Sequence, residues 1–282
     1  MGYAVTIGFF DGVHSGHRFV LEQLKQIAAQ SGCESAVVVF EDHPQTVLHG
    51  VQVPLLTTYS ERVALLKQAG IDRILSFRFA DIRSLTAEAF MRLLHEQYGA
   101  ELLIMGYDHR FGSDRLQAPE AYDKAAARVG LRLVRLPRNP RSAASSTAIR
   151  KALLAGDTVG ANALLGYPYT LTGTVVSGRG IGREIGFPTA NLRLPQEKLV
   201  PAAGVYACEA EGHRAVLNIG TNPTVNGTEQ TIELHIPAFT GDLYGKQLTV
   251  RLLHFLRPEK KFDSIDDLQK QIAADIEQIV ND

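Results

Sequence analysis

The chain has 282 residues, enough to bury a core in each of two domains, and its 29 basic and 30 acidic side chains leave a net charge of −1. That balance excludes a polyanion-wrapping surface and points away from nucleic acid, so a small phosphorylated ligand would have to be met by local donors. Cys33 and Cys208 stand far apart without zinc spacing, no basic or apolar leader opens the chain, and no apolar run approaches about 18 residues, so the expectation is a soluble, cytoplasmic protein without a membrane span.

Val5-Thr6-Ile7 begins a strand that runs to Phe9 or Phe10, and a helix follows over 17–30 with Val20, Leu24, Ile27 and Ala28 on one stripe. Between them lies Gly8-Phe9-Phe10-Asp11-Gly12-Val13-His14-Ser15-Gly16-His17. A strand, a glycine-rich turn and a helix start bring phosphates to free backbone N–H groups. Gly8, Gly12 and Gly16 permit close approach, while His14 and His17 supply donors that can be cationic near pH 7, where a breaking phosphoanhydride develops charge. The plain alternative is two surface histidines beside a flexible turn.

Further along, 36–40 is a continuous apolar run suited to a strand covered on both faces, 58–69 a helix with Ser60 as its cap, and 74–77 a short strand. Thr86 introduces a helix carrying Phe90, Leu94 and Tyr98; 102–105 is a strand ending at Gly106; 119–129 is a helix and 131–136 a strand. This alternation predicts an α/β open, mostly parallel sheet with its crevice at the carboxyl ends. Two strand exits place polar groups there: Phe40-Glu41-Asp42-His43-Pro44 and Gly106-Tyr107-Asp108-His109-Arg110-Phe111-Gly112. On their own, His43 reads as a turn residue and Phe111 as core. Ser145-Ser146-Thr147-Ala148-Ile149-Arg150 divides evenly between a helix cap and a phosphate site with Arg150 as clamp.

These stretches resemble the motifs of the nucleotidyltransferases that make FAD: Gly-x-Phe-Asp-Gly-Val-His-x-Gly-His, Phe-x-Pro-His-Pro with Asp42 replacing the first proline, Gly-x-Asp-Phe-x-Phe-Gly with His109 replacing a phenylalanine, and Ser-Ser-Thr-x-Ile-Arg. The resemblance implies transfer of AMP from ATP to FMN with release of pyrophosphate. It assigns Gly8, Phe10, Asp11, Gly12 and Gly16 to the nucleotide turn and His14 and His17 to the reacting phosphate. His43 and Asp108 are assigned to substrate placement, Phe111 to the flavin side, and Ser146, Thr147 and Arg150 to the triphosphate.

A helix over 152–155 ends at Gly156, a short one covers 158–165, and Gly166-Tyr167-Pro168 punctuates the chain, so the domains are read as 1–157, a linker 158–168, and 169–282. Successive β patterns follow at 170–176, 204–209, 214–219, 231–236 and 247–256, with Glu211-Gly212 as a turn. An antiparallel barrel is preferred because closure removes exposed edges. Ser264 caps a terminal helix with Asp267 at the capping-box position, and Ile265, Leu268, Ile272, Ile276 and Ile279 form the stripe that packs on the barrel.

Within 178–191, Gly186-Phe187-Pro188-Thr189-Ala190-Asn191 is the sharp feature: Pro188 fixes one backbone angle and leaves Thr189 and Asn191 as neutral oxygen donors suited to Mg2+ and phosphate. It resembles the metal–nucleotide motif of riboflavin kinases. That resemblance assigns Gly182, Gly186, Pro188, Thr189 and Asn191 to Mg2+ and ATP, makes Glu233 the catalytic carboxylate, and gives Asp242 and Tyr244 a loop-shaping role. The charges of 257–263 are read as surface and helix-start electrostatics, with packing of a flavin loop as the second reading.

As a whole the chain resembles the prokaryotic bifunctional riboflavin kinase and FAD synthetase family, with an α/β nucleotidyltransferase-like sheet followed by an antiparallel β-barrel and a C-terminal helix. The ligands implied are riboflavin, FMN, FAD and ATP. Two alternatives stay open: a riboflavin kinase whose first domain adenylylates another acceptor, and a flavin sensor without turnover. Oligomeric state is not legible.

Overall fold

The computed structural model describes residues 2–139, 143–178, 180–224 and 227–281; Arg179 of the glycine-rich stretch lies outside them. The chain divides into two compact units, Met1–Ala144 and Ser145–Asp282, each taken by itself below.

In the first unit the apolar runs become β1 (Tyr3–Ile7), β2 (Glu34–Phe40), β3 (Arg73–Phe77), β4 (Ala100–Met105) and β5 (Arg132–Arg135), all parallel in the order β3-β2-β1-β4-β5. The order reverses between β1 and β4, the point at which an open sheet leaves a crevice beyond its strand ends. Helices α1 (Ser15–Gln30), α3 (Tyr59–Gln68), α5 (Ala87–Tyr98) and α6 (Pro119–Arg128) follow the predicted periodicity, and two short ones, α2 (Pro44–His49) and α4 (Phe79–Ile82), were not legible. Alternating strand side chains feed two cores: Val5, Val38, Leu103, Phe90 and Leu94 on one face, Ala4, Val37, Ile104, Leu21 and Leu24 on the other. The α3 cap is Thr58, not Ser60: its hydroxyl accepts from Glu61 N while the Glu61 carboxylate accepts from Thr58 N, a reciprocal pair that a serine already inside the helix cannot form.

The second unit begins with α7 (Ser146–Leu154) and α8 (Thr158–Leu165). The segment read as a linker is thus part of a packed element: the Asn162 amide of α8 donates to the carbonyls of Leu252 and Leu253 and accepts from Tyr169 N. Strands β6 (Thr170–Val176), β7 (Ala190–Arg193), β8 (Gly204–Ala210), β9 (His213–Thr224), β10 (Gly227–His235) and β11 (Gln247–Arg257) close an antiparallel barrel in the order β10-β7-β6-β11-β8-β9, with α9 (Ile181–Glu184) before β7. The final helix, α10 (Ile265–Asn281), lays Ile276 and Ile279 against Val205, Ala207 and Val216. Ile265, assigned to that stripe, is 63% exposed, because the helix meets the barrel only after its first turn. Among the described residues no helix is long and apolar enough to cross a membrane.

Candidate active sites

A cleft of about 820 Å³ opens at the carboxyl ends of β1, β2 and β4, lined among others by Gly8, Phe10, His17, Phe40, Asp108, His109 and Phe111. The turn leaving β1 is held in an uncommon shape: Phe10 and Val13 have φ of 54° and 34°, left-handed values that side chains rarely adopt. Burial of both side chains offsets the strain, and Phe10 packs edge-on to His17 at 5.1 Å. A side chain at Gly8 would collide with the Phe10 ring, so close approach at that point requires glycine. Gly12 lies in the same turn and Gly16 in the first turn of α1.

Asp11 faces away from the cleft. Its carboxylate, 3% exposed, accepts from Leu56 N (3.1 Å), Thr57 N (3.0 Å) and the Thr57 hydroxyl (3.2 Å), while Gly12 N donates to that hydroxyl at 2.9 Å. The residue anchors the turn to the segment before α3.

His14 caps α1: its Nδ1 accepts from His17 N at 3.4 Å, which leaves its own proton on Nε2. The two imidazoles stack at 3.7 Å, and His17 Nδ1 is buried without a hydrogen-bond partner. Burial lowers the His14 pKa to about 4 against the opposing pull of Asp11, and burial, then His14, then Arg62 hold His17 well below its usual value. Burial thus favours the neutral form of both rings at pH 7 in the free protein, against the cationic form considered from the sequence. The same desolvation takes His109 to about 4. Phe111 is braced from behind: Tyr122 Oη accepts from its N–H and donates to its carbonyl, at 2.9 and 2.8 Å. His43 caps α2 by accepting from Gln45 N at 3.1 Å and meets the Phe9 ring at 4.5 Å. Ser146, Thr147 and Arg150 are in α7, counted with the second unit; Ser145, its cap, accepts from Ala148 N at 3.1 Å.

The second unit holds a cleft of about 360 Å³, lined by Gly182, Phe187, Thr189, Asn191, Asn218, Glu233, His235, Arg257, Phe262 and Asp275 among others. Register builds its polar row: Glu233 on β10 stands opposite Asn191 on β7 and opposite Asn218 on β9, so three adjacent strands present an amide, a carboxylate and an amide in line. No hydrogen bond or ion pair within the described residues engages the Glu233 carboxylate. Pro188 is fixed through its carbonyl, which accepts from His235 Nδ1 at 2.8 Å. Gly182 admits no side chain because Phe187 O and the Thr189 side chain occupy that space, and Gly186 has a left-handed φ of 84°. A neighbouring cleft of about 460 Å³ lies against Arg183, Phe239, Asp242 and Tyr244, and Pro188 and Thr189 line it also. Thr189 thus borders both spaces.

Two arginines were missed or misread. Arg62 has no exposed surface; it donates to the carbonyls of Phe40 (2.8 Å) and Thr57 (3.2 Å) and lies 4.1 Å over the Phe9 ring. Arg257, read as surface charge, forms a fork with the buried Asp275 of α10, Nε to Oδ1 at 2.9 Å and Nη2 to Oδ2 at 2.7 Å. Gln269 Nε2 donates to Ile185 O at 3.0 Å, so α10 grips both sides of this cleft. Neither arginine carries a local sequence signal, since Phe40 lies 22 residues from Arg62 and Asp275 lies 18 from Arg257.

Comparison with known proteins agrees with this division. An FAD synthetase family model matches residues 1–147 and a riboflavin kinase model residues 165–281. Bifunctional riboflavin kinase/FMN adenylyltransferases of Haemophilus influenzae and Escherichia coli K12 are each 37% identical, over 98% and 97% of this chain and 92% and 90% of theirs; that of Listeria monocytogenes is 35% identical over 96% and 89%. A Streptococcus pneumoniae crystal structure described as a macrolide-efflux protein is 31% identical, with a TM-score of 0.88 over 99% of this chain and 94% of that one.

Proposed function

This chain belongs to the bifunctional riboflavin kinase/FMN adenylyltransferase family, and we propose that its two reactions divide between the α/β sheet region and the barrel region. It is an ATP-dependent enzyme that phosphorylates riboflavin to FMN and adenylylates FMN to FAD with release of pyrophosphate.

In the kinase step the terminal hydroxyl oxygen of riboflavin attacks the γ-phosphorus of ATP, the bond to ADP breaks, and Glu233 accepts the hydroxyl proton. The single observation that carries this reading is the row Asn191, Glu233, Asn218, at whose centre the carboxylate meets no hydrogen bond or ion pair among the described residues. Flavin occupies the cleft walled by Phe187, Phe262 and Ile272, and the nucleotide the one beside Tyr244, so that phosphate passes at Thr189, which borders both. Among the described residues no three His, Cys, Asp or Glu cluster as metal ligands. Oxygen donors from Thr189 and Asn191 fit Mg2+, a hard cation that retains waters and substrate phosphates and needs few protein ligands. Bound there, Mg2+ supplies neutralisation of phosphate charge.

In the adenylyl transfer an oxygen of the FMN phosphate attacks the α-phosphorus of ATP and the bond to pyrophosphate breaks. The attacking oxygen is already anionic, so no general base is needed and positioning with charge stabilisation carries the step. His14 and His17 serve as neutral N–H donors at the reacting phosphate, and Gly8, Phe10, Gly12 and Gly16 let it approach. Asp11 serves by anchoring the turn. His43, Asp108 and Phe111 place the flavin nucleotide, and the role that the family motif gives Ser146, Thr147 and Arg150 is that of binding the triphosphate.

The test mixes purified chain with riboflavin, ATP and Mg2+ and separates the flavins by chromatography. FMN followed by FAD is the expected order. FMN alone would remove the acceptor assignment of the first site, and no turnover would remove both.

A further inference from the structure

Arg62 stands in the first turns of α3, beneath the α/β cleft rather than in it, and among the described residues no carboxylate lies within ion-pair distance. A fully buried guanidinium is costly unless its N–H groups and its charge both have work. One N–H group goes to Phe40 O at the end of β2 and one to Thr57 O before α3, Nε has no partner, and the cationic plane supports the cleft-lining Phe9 ring. Asp11 takes the N–H groups of Leu56 and Thr57, so Asp11 and Arg62 grip the same short segment through its donors and its acceptor respectively.

We propose that Arg62 is a positioning residue for adenylyl transfer: from behind the cleft it fixes Phe9 and ties the turn at Gly8–Gly12 to the end of β2, setting His17 in place. The inference rests on assigning adenylyl transfer to this site. It is separate from fold maintenance because it includes an electrostatic part. The groups facing His17 are the stacked His14, the Phe10 ring, Asp11 acting through His14, and Arg62 from α3, with Asp108, His109, Arg110, Arg83 and Arg115 along the rest of the cleft. The Arg62 charge opposes a proton on His17. Removing it lets His17 protonate at higher pH, and a protonated His17 has lost the state the site is built around.

The experiment uses the full chain with Arg62→Gln, which keeps donors without charge, and Arg62→Lys, which keeps charge without the planar fork. FMN adenylylation is followed against pH, with riboflavin phosphorylation and thermal unfolding measured on the same preparations. Arg62→Gln should lower kcat/KM for adenylylation by about tenfold through lost positioning, move the acid limb of its pH profile upward, and leave the kinase rate unchanged. Arg62→Lys should keep the acid limb in place with a severalfold lower rate. An unmoved limb in folded Arg62→Gln overturns the proposal, as does a parallel fall of both activities. If Arg62→Gln does not fold, a wild-type rate in Arg62→Lys overturns it. His17→Ala is run alongside: normal FAD synthesis there removes the site assignment and this inference together, whereas collapse there beside unaltered Arg62→Gln removes this inference alone.

Discussion

In the first unit the groups assigned to chemistry stand on a turn between a strand and a helix, while in the second they stand on the strands themselves. The difference shows in what holds each site. The turn carries left-handed backbone at Phe10 and Val13 and is secured from behind by Asp11 and Arg62, neither of which faces the ligand space through its polar atoms. In the barrel site the row itself is set by hydrogen-bonded register, which aligns Asn191, Glu233 and Asn218, while His235 and the Arg257–Asp275 fork brace only the walls around it. A turn-borne site should therefore be sensitive to residues that never meet substrate, and a strand-borne one chiefly to the residues in the row.

The comparison breaks most sharply at Glu233. Glu233→Ala should slow riboflavin phosphorylation by about a thousandfold, the range of a lost general base, with conversion of supplied FMN to FAD intact. Near-normal FMN production in folded protein would take the residue out of catalysis. Next in size, His17→Ala should cost about a hundredfold in FMN adenylylation, roughly 3 kcal/mol of transition-state stabilisation, and spare the kinase. Steady-state rates of both half-reactions decide this, and equal losses in both would instead mark a packing role. Asn191→Ala should weaken productive use of Mg-ATP in the kinase step alone; unchanged Mg2+ dependence would contradict it.

The smallest effect concerns pH and sharpens the contrast between the units. His14 and His109 have pKa values near 4 when folded, against an ordinary 6.5, so between those values the unfolded chain binds protons that the folded sites refuse. Their contribution to first-unit stability is complete above pH 6.5 and is lost as pH falls towards 4. Thermal unfolding of the first unit should show this slope, and His109→Phe should flatten it. An identical slope in that variant would mean that His109 does not contribute.

Much of this was legible beforehand. The apolar runs of β1, β2 and β4 and the stripes of α1 and α5 locate the sheet and its helices, and the His-x-x-His turn lies at the cleft they create. Strand β7 was not legible: four residues, Ala-Asn-Leu-Arg, lack both length and β-branched character, and only pairing with β10 and β6 makes them a strand. The resemblance assigned Asp11 to the nucleotide turn, and what no local pattern showed is that its acceptors are used by backbone 45 and 46 residues away. Arg62 was not singled out and Arg257 was read as surface charge because charged side chains are usually solvated; the partners that enclose them are not announced by any local pattern. The direction in which burial moves the histidine charge was likewise not legible, because desolvation is a property of the folded surroundings.

The short β7 strand also limits how this protein can change length. Asn191 faces Glu233 because of an alternation with a period of two, so losing or gaining one residue between Phe187 and Arg193 would turn Asn191 to the opposite face while leaving every neighbouring residue chemically the same. Substitutions around that strand can be absorbed one at a time, but single-residue insertions and deletions there cannot. A library meant to retune the kinase should hold this spacing constant and place its length variation elsewhere, such as the tight turn at Glu211-Gly212.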